Sequence, residues 1–193
     1  IYLLMYVITE RFVPAESCMV VHCALDDLIP FHELFILPYV LWYLLVFFSL
    51  LYFALYDVEG FKNLMKFIIV TQVAAMAIYI LFPNRQDMRP AVFPRDNILT
   101  DMVNIIYSLD TSTNVCPSMH AAYSLAIASC WLKSPVPKRG SKVLLPAFAL
   151  LVCVSTAFVK QHSVVDVLAA VLVCLLAEIL VFGKSYWRAK RPG

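Results

Sequence analysis

The chain has little charge. Only 15% of its 193 residues are Asp, Glu, Lys or Arg, against 62% hydrophobic, and its mean hydropathy is +0.81. Soluble domains carry about 25% charged and about 45–50% apolar residues. A chain this short keeps too large a surface to hide the excess in a core. Lipid must cover it, which excludes an ordinary soluble domain. Zinc-type and redox spacing is also missing, since the six cysteines form no C-x-x-C pair. Cys130, Cys153 and Cys174 fall inside apolar runs and read as small hydrophobes. Cys18 and Cys23 stand close enough to pair in an oxidising compartment. No basic stripe of the kind nucleic acid needs is present, and a net charge of +2 points to no partner. Repeats, low-complexity stretches and period-two alternation are absent as well, which turns the reading from strands to helices.

What the chain does have is long apolar runs. A membrane-spanning helix needs roughly 20 such residues. Residues 34–56, 67–84, 111–132 and 143–159 contain no formal charge, and a further run from Asp166 to Phe182 is broken only by Glu178. Residues 1–13 read as the outer half of one more helix. An apolar start at Ile1, with no Met, predicts that this helix begins upstream. The expected fold is all-α, a six-transmembrane-helix bundle with an incomplete first helix, forming one domain over residues 1–193. Residues 97–109 place Ile98, Met102, Ile105, Ile106 and Leu109 at helical spacing, which predicts an amphipathic helix along the interface. Residues 17–33, with Asp26-Asp27 and Ile29-Pro30-Phe31, form a second interfacial piece.

Orientation follows from Lys and Arg in short loops. Lys62 and Lys66 follow the second span. Lys133, Lys138, Arg139 and Lys142 follow the fourth, and Lys184, Arg188, Lys190 and Arg191 follow the sixth. All three groups fall on one side of a six-span chain, so that side is cytoplasmic. The opposite, extracytoplasmic side receives His120 at the start of the fourth span, His162 at the end of the fifth, and Arg85 and Arg89 after the third.

Two of the four histidines therefore meet at one membrane face. Pro117-Ser118-Met119-His120 holds the first, and His162-Ser163-Val164-Val165-Asp166 holds the second. A buried imidazole needs partners for both nitrogens. Asp166, four residues on, supplies one for His162. An oriented imidazole, a second imidazole to move a proton and nearby cations make a phosphoryl-transfer centre. Arg89 suits bidentate phosphate contacts. Arg85 and Lys160 add positive charge, and Ser118 offers a hydroxyl at a helix start, where anions bind. Asp26 and Asp27 are candidates for contact with a substrate head group. No metal-ligand set is present.

These residues resemble the type-2 phosphatidic acid phosphatase superfamily, six-helix membrane enzymes that act on lipid phosphates. Its three patterns are K-x6-R-P, P-S-G-H and S-R-x5-H-x3-D. Arg89-Pro90 matches the end of the first. Pro117-Ser118-Met119-His120 matches the second with Met119 for Gly, and Ser155, His162 and Asp166 match the third. The resemblance covers residues 34–183 in organisation. It implies His162 as nucleophile, Asp166 as its partner, His120 as general acid, no metal and no cofactor, and a lipid phosphate substrate. Two of the family's cations are replaced, by Phe82 and Thr156. Relatives that move phosphoryl head groups between lipids, such as sphingomyelin and inositol phosphorylceramide synthases, show a similar loosening. Hydrolysis with water as acceptor is the first expectation, head-group transfer to a hydroxyl the second, and a non-catalytic membrane scaffold the third. Tyr39, Trp42, Tyr43, Tyr186 and Trp187 fit an aromatic belt. Glu10 and Glu178 are charged residues at or within spans, and Glu178 is expected to snorkel. His22 and His32 read as loop residues.

Overall fold

A computed structural model describes residues 17–189, with side chains described to Gly183. The expected first helix over 1–13, Glu10, Lys190 and Arg191 lie outside the described residues. So do the side chains of Lys184, Tyr186, Trp187 and Arg188.

Among the described residues, four helices are long and apolar enough to cross a membrane. They are α2 (Ile36–Tyr56), α3 (Val58–Leu81), α6 (Arg139–Phe158) and α7 (Val164–Ala189). The 21 residues of α2 rise about 32 Å at 1.5 Å each, enough for a hydrocarbon core of about 30 Å. Their outward faces are apolar, with Phe47, Phe48 and Leu55 on α2 and Leu172, Leu175 and Ile179 on α7 exposed.

The run 111–132 does not form one helix. Helix α5 covers only Met119–Lys133, about 22 Å. Residues 111–114 are Thr-Ser-Thr-Asn, uncharged but hydrogen-bonding, and Pro117 follows. Such residues favour turns and caps over a helix interior. Helix α5 starts where Ser118 caps it, its hydroxyl accepting from the Ala121 amide at 3.3 Å. This helix packs against α2, α3, α6 and α7. Its Ala121, Ala122, Ser124, Ala126 and Ala128 are buried, and small side chains let neighbouring helices approach closely.

The run 67–84 is likewise shifted. Helix α3 already begins at Val58, so Lys62 and Lys66 lie in its first turns rather than in a loop. Asp57 alone joins α2 to α3. Its carboxylate accepts from the Gly60 amide at 2.9 Å and the Ser134 hydroxyl at 2.5 Å. A Cβ at Gly60 would stand 2.5 Å from Asp57 Oδ2 and 2.8 Å from a Phe53 ring carbon, so only glycine fits there.

At the other end of the bundle, residues 17–35 cross over the helix ends. Strand β1 (Met19–Val20) pairs in parallel with β2 (Asn84–Arg85), Met19 opposite Asn84. Helix α1 (Ala24–Leu28) and a 3-10 turn (Glu33–Phe35) complete the segment. Glu33 accepts from Arg95 at 2.7 Å, tying the loop before α4 to the start of α2. Helix α4 (Ile98–Leu109) is capped by Asn97 and buries Thr100 and Val103 while Ile98, Ile105 and Leu109 stay exposed. The expected amphipathic helix is thus present. Cys23 is a free thiol, so the expected Cys18–Cys23 pair does not form.

Candidate active site

The α6–α7 turn, Val159–Ser163, delivers His162. Its amide and that of Gln161 both donate to the Thr156 carbonyl, at 3.2 and 3.0 Å. Asp166 sits in the first turn of α7 and is fully buried. Nδ1 of His162 lies 3.2 Å from Asp166 Oδ2 and 3.1 Å from the Val115 carbonyl oxygen. Both neighbours are acceptors, so Nδ1 carries the proton and Nε2 keeps its lone pair. That is the nucleophilic tautomer.

His120, the second residue of α5, lies across from it with ring centroids 5.6 Å apart. Tyr39 stacks on His120 at 4.5 Å and Trp42 tilts against it at 4.4 Å. Tyr39 is buried and thus holds a catalytic-looking imidazole instead of joining an aromatic belt. Nε2 of His120 is buried and has no hydrogen-bond partner among the described residues. Such a group carries a desolvation cost of about 1–3 kcal/mol, which a ligand oxygen would offset.

Both histidines line one cavity of about 350 Å³. Its wall also contains Asp110, Thr111, Thr113, Asn114 and Gln161. Asp110, which the sequence reading missed, accepts from Gln161 at 3.3 Å and Tyr39 at 3.5 Å. Asn84 was missed as well. Its side chain accepts from the Val115 and Cys116 amides and donates to the Phe82 and Cys116 carbonyls, at 2.8–3.0 Å. It therefore sets the Val115 carbonyl that receives His162. Apart from the Asn84–Phe82 bond, these contacts span 31 to 71 residues, and no local pattern announces them. The Cys116 thiol lies beside Asp166, and burial, reinforced by that charge, pushes it up to about 12. It stays protonated and is no rival nucleophile.

The other expected site residues are placed differently. The Ser118 amide donates to the Asp166 carbonyl at 3.0 Å, so this residue bolts α5 to α7 instead of lining the cavity. The Arg89 guanidinium donates to the carbonyls of Tyr107, Asp110 and Thr111 at 2.8–3.0 Å and covers the Tyr107 ring. It fixes the segment whose Asp110 and Thr111 side chains form the cavity wall. Arg85 pairs with Asp87 at 2.7 Å. The Lys160 ammonium donates to the Asp26 and Ile29 carbonyls at 2.7 and 2.5 Å, lining a neighbouring cavity with Asp26 and Asp27. Asp27 is exposed and pairs with His22 at 2.9 Å. Asp26 is buried under the α6–α7 turn. Phe82 is exposed, and Thr156 is buried with its hydroxyl donating to the Cys153 carbonyl. At the far end of the bundle, Glu178 does not snorkel. It pairs with Lys133 at 2.8 Å and accepts from Ser129 at 2.7 Å.

The described residues thus define a helical protein with membrane-length apolar helices and a histidine–histidine–carboxylate cluster at one end of the bundle. No family model, no curated protein and no solved structure matches the chain.

Proposed function

We propose that this chain is a membrane enzyme of the type-2 phosphatidic acid phosphatase kind, a six-span bundle that transfers phosphoryl groups from a lipid phosphate. The observation that carries the reading is the pairing of His162 Nδ1 with Asp166 while His120 faces the same cavity. Nε2 of His162 attacks phosphorus, and the bond from phosphorus to the lipid oxygen breaks. Protonated His120, favoured by the phosphate's negative charge, gives its proton to that oxygen. Asp166 stabilises the imidazolium character that develops on His162. A water molecule, deprotonated by His120, then attacks the phosphohistidine and releases phosphate. His120 carries each proton transfer in this sequence, so a metal has no required step.

A second reading has a specific observation in its favour. Among the described residues lining the cavity there is no Lys or Arg, whereas Asp110, Thr111, Thr113, Asn114 and Gln161 line it. Such side chains suit hydroxyl groups, which favours an alcohol as acceptor and so head-group transfer to a lipid or polyol. The deciding experiment incubates purified protein with dioleoyl phosphatidic acid and with phosphodiester lipids, with and without candidate alcohols. Free phosphate identifies hydrolysis, and a new lipid identifies transfer. Equal turnover by wild type and His162→Ala rules out both.

The loop charges favour an extracytoplasmic site. Val92, 84% exposed in the segment between β2 and α4, offers the check. In intact cells Val92→Cys should react with an impermeant maleimide above the background of the native cysteines.

A further inference from the structure

The strongest unassigned group in the molecule is Asp26. It arrives from residues 17–35, more than 130 positions before the turn it touches. Oδ2 accepts from the Ser163 hydroxyl at 2.6 Å and from the Cys23 amide at 2.8 Å, and Oδ1 accepts from the Val164 amide at 2.8 Å. Its own carbonyl accepts from the Lys160 ammonium at 2.7 Å. One residue thus grips the chain two positions before His162 and again one and two positions after it. Asp26 is 3% exposed. It also stands at the first turn of α7, where negative charge meets the helix's positive end. Ser163, which Asp26 holds by the hydroxyl, donates its own amide to Asp166 Oδ2 at 3.0 Å.

We propose that Asp26 is a positioning residue for the His162–Asp166 pair, its carboxylate fixing the Lys160–Val164 turn so that His162 Nε2 is aimed into the cavity it shares with His120. This rests on the reading of His162 as nucleophile. Asp26 does not reach the reacting atoms; it acts through Ser163 and Val164. The chemistry explains why a carboxylate is needed. Three donors converge on its two oxygens, and asparagine, with one oxygen and one NH2 group, leaves at least one of them facing another donor. Misplacing an attacking atom by about 1 Å costs on the order of a hundredfold in rate.

The test uses the full-length protein in detergent, with orthovanadate as the probe of the phosphoryl site and dioleoyl phosphatidic acid in mixed micelles as substrate. Asp26→Asn should weaken vanadate binding at least tenfold and lower kcat by about ten- to a hundredfold, with KM changed less than twofold. Asp26→Glu, which keeps both oxygens, should recover most of each loss. Wild-type vanadate affinity and kcat in Asp26→Asn, with His162→Ala inactive in both assays, overturn the inference alone. So does a loss that merely tracks the fraction of unfolded protein and is not recovered by Asp26→Glu. If the wild type fails to bind vanadate, or His162→Ala binds it equally well, the parent reading falls and this inference with it.

Discussion

The rings of His120 and His162 stand 5.6 Å apart, within the range of direct ring contact, and both line the same cavity. The two imidazoles differ in surroundings. His162 has both a carboxylate and a carbonyl on Nδ1, while His120 lies between aromatic faces. A division of labour follows. His162→Ala should form no acid-labile phosphoprotein. His120→Ala should still form it, slowly, and accumulate it, with turnover down by about 10²–10⁴. Rapid-quench trapping with radiolabelled lipid phosphate distinguishes the two, and equal trapping in both variants contradicts the assignment.

Tyr39 offers a separate lever. Its ring holds His120, while its hydroxyl reaches Asp110. Tyr39→Phe keeps the ring and should reduce turnover by less than tenfold. Tyr39→Leu removes the stacking face and should cost more than tenfold, with about 1–3 kcal/mol of stability lost as the site repacks. Steady-state rates and thermal unfolding in detergent check both.

Acid stability should depend on Asp26. Burial pulls its carboxyl up, but the hydrogen bonds from Ser163, Val164 and Cys23 outweigh that and leave it below the usual carboxylate value. A folded value below the unfolded one, about 3.9, means that its contribution is complete above that pH and fades as pH falls through the folded value. The gap in Tm between wild type and Asp26→Asn should therefore be constant above about pH 5 and shrink below about pH 4. A gap that widens on acidification contradicts the charge assignment.

Gly60 tests the far end of the bundle. Alanine normally favours a helix over glycine by about 1 kcal/mol. Here the added methyl would meet Asp57 and Phe53, so Gly60→Ala should lower stability by about 1–3 kcal/mol. A rise in the unfolding midpoint would show that Asp57 yields without cost.

The sequence alone revealed four apolar helices and the His162–Asp166 pair, because both rest on local signals, whereas the approach of His120 needed the order of the spans. Charge-free length marks a helix, and i, i+4 spacing brings His162 to Asp166. The start of α5 was not legible from charge counting, since Thr111, Ser112, Thr113 and Asn114 are uncharged yet break a helix. Asp110, Asn84 and the bracing role of Asp26 were hidden for another reason. Each acts across 31 to 138 residues, and only the folded chain brings the partners together. The cations were seen as charges, but what they bind was not. Lys160 and Arg89 hold backbone carbonyls, and nothing in their sequence neighbourhood says so.

Helix α5 also stands apart from the longer apolar helices. A lipid-facing helix tilts when membrane thickness changes, at a cost of fractions of a kcal/mol per Å of mismatch. Helix α5 is short and mostly surrounded by protein, so its immediate solvent is α2, α3, α6 and α7. His120 therefore rides on a strut enclosed mostly by other helices. His120 is thereby held by packing against protein, and its spacing from His162, in the α6–α7 turn, follows from how α6 and α7 seat against that strut.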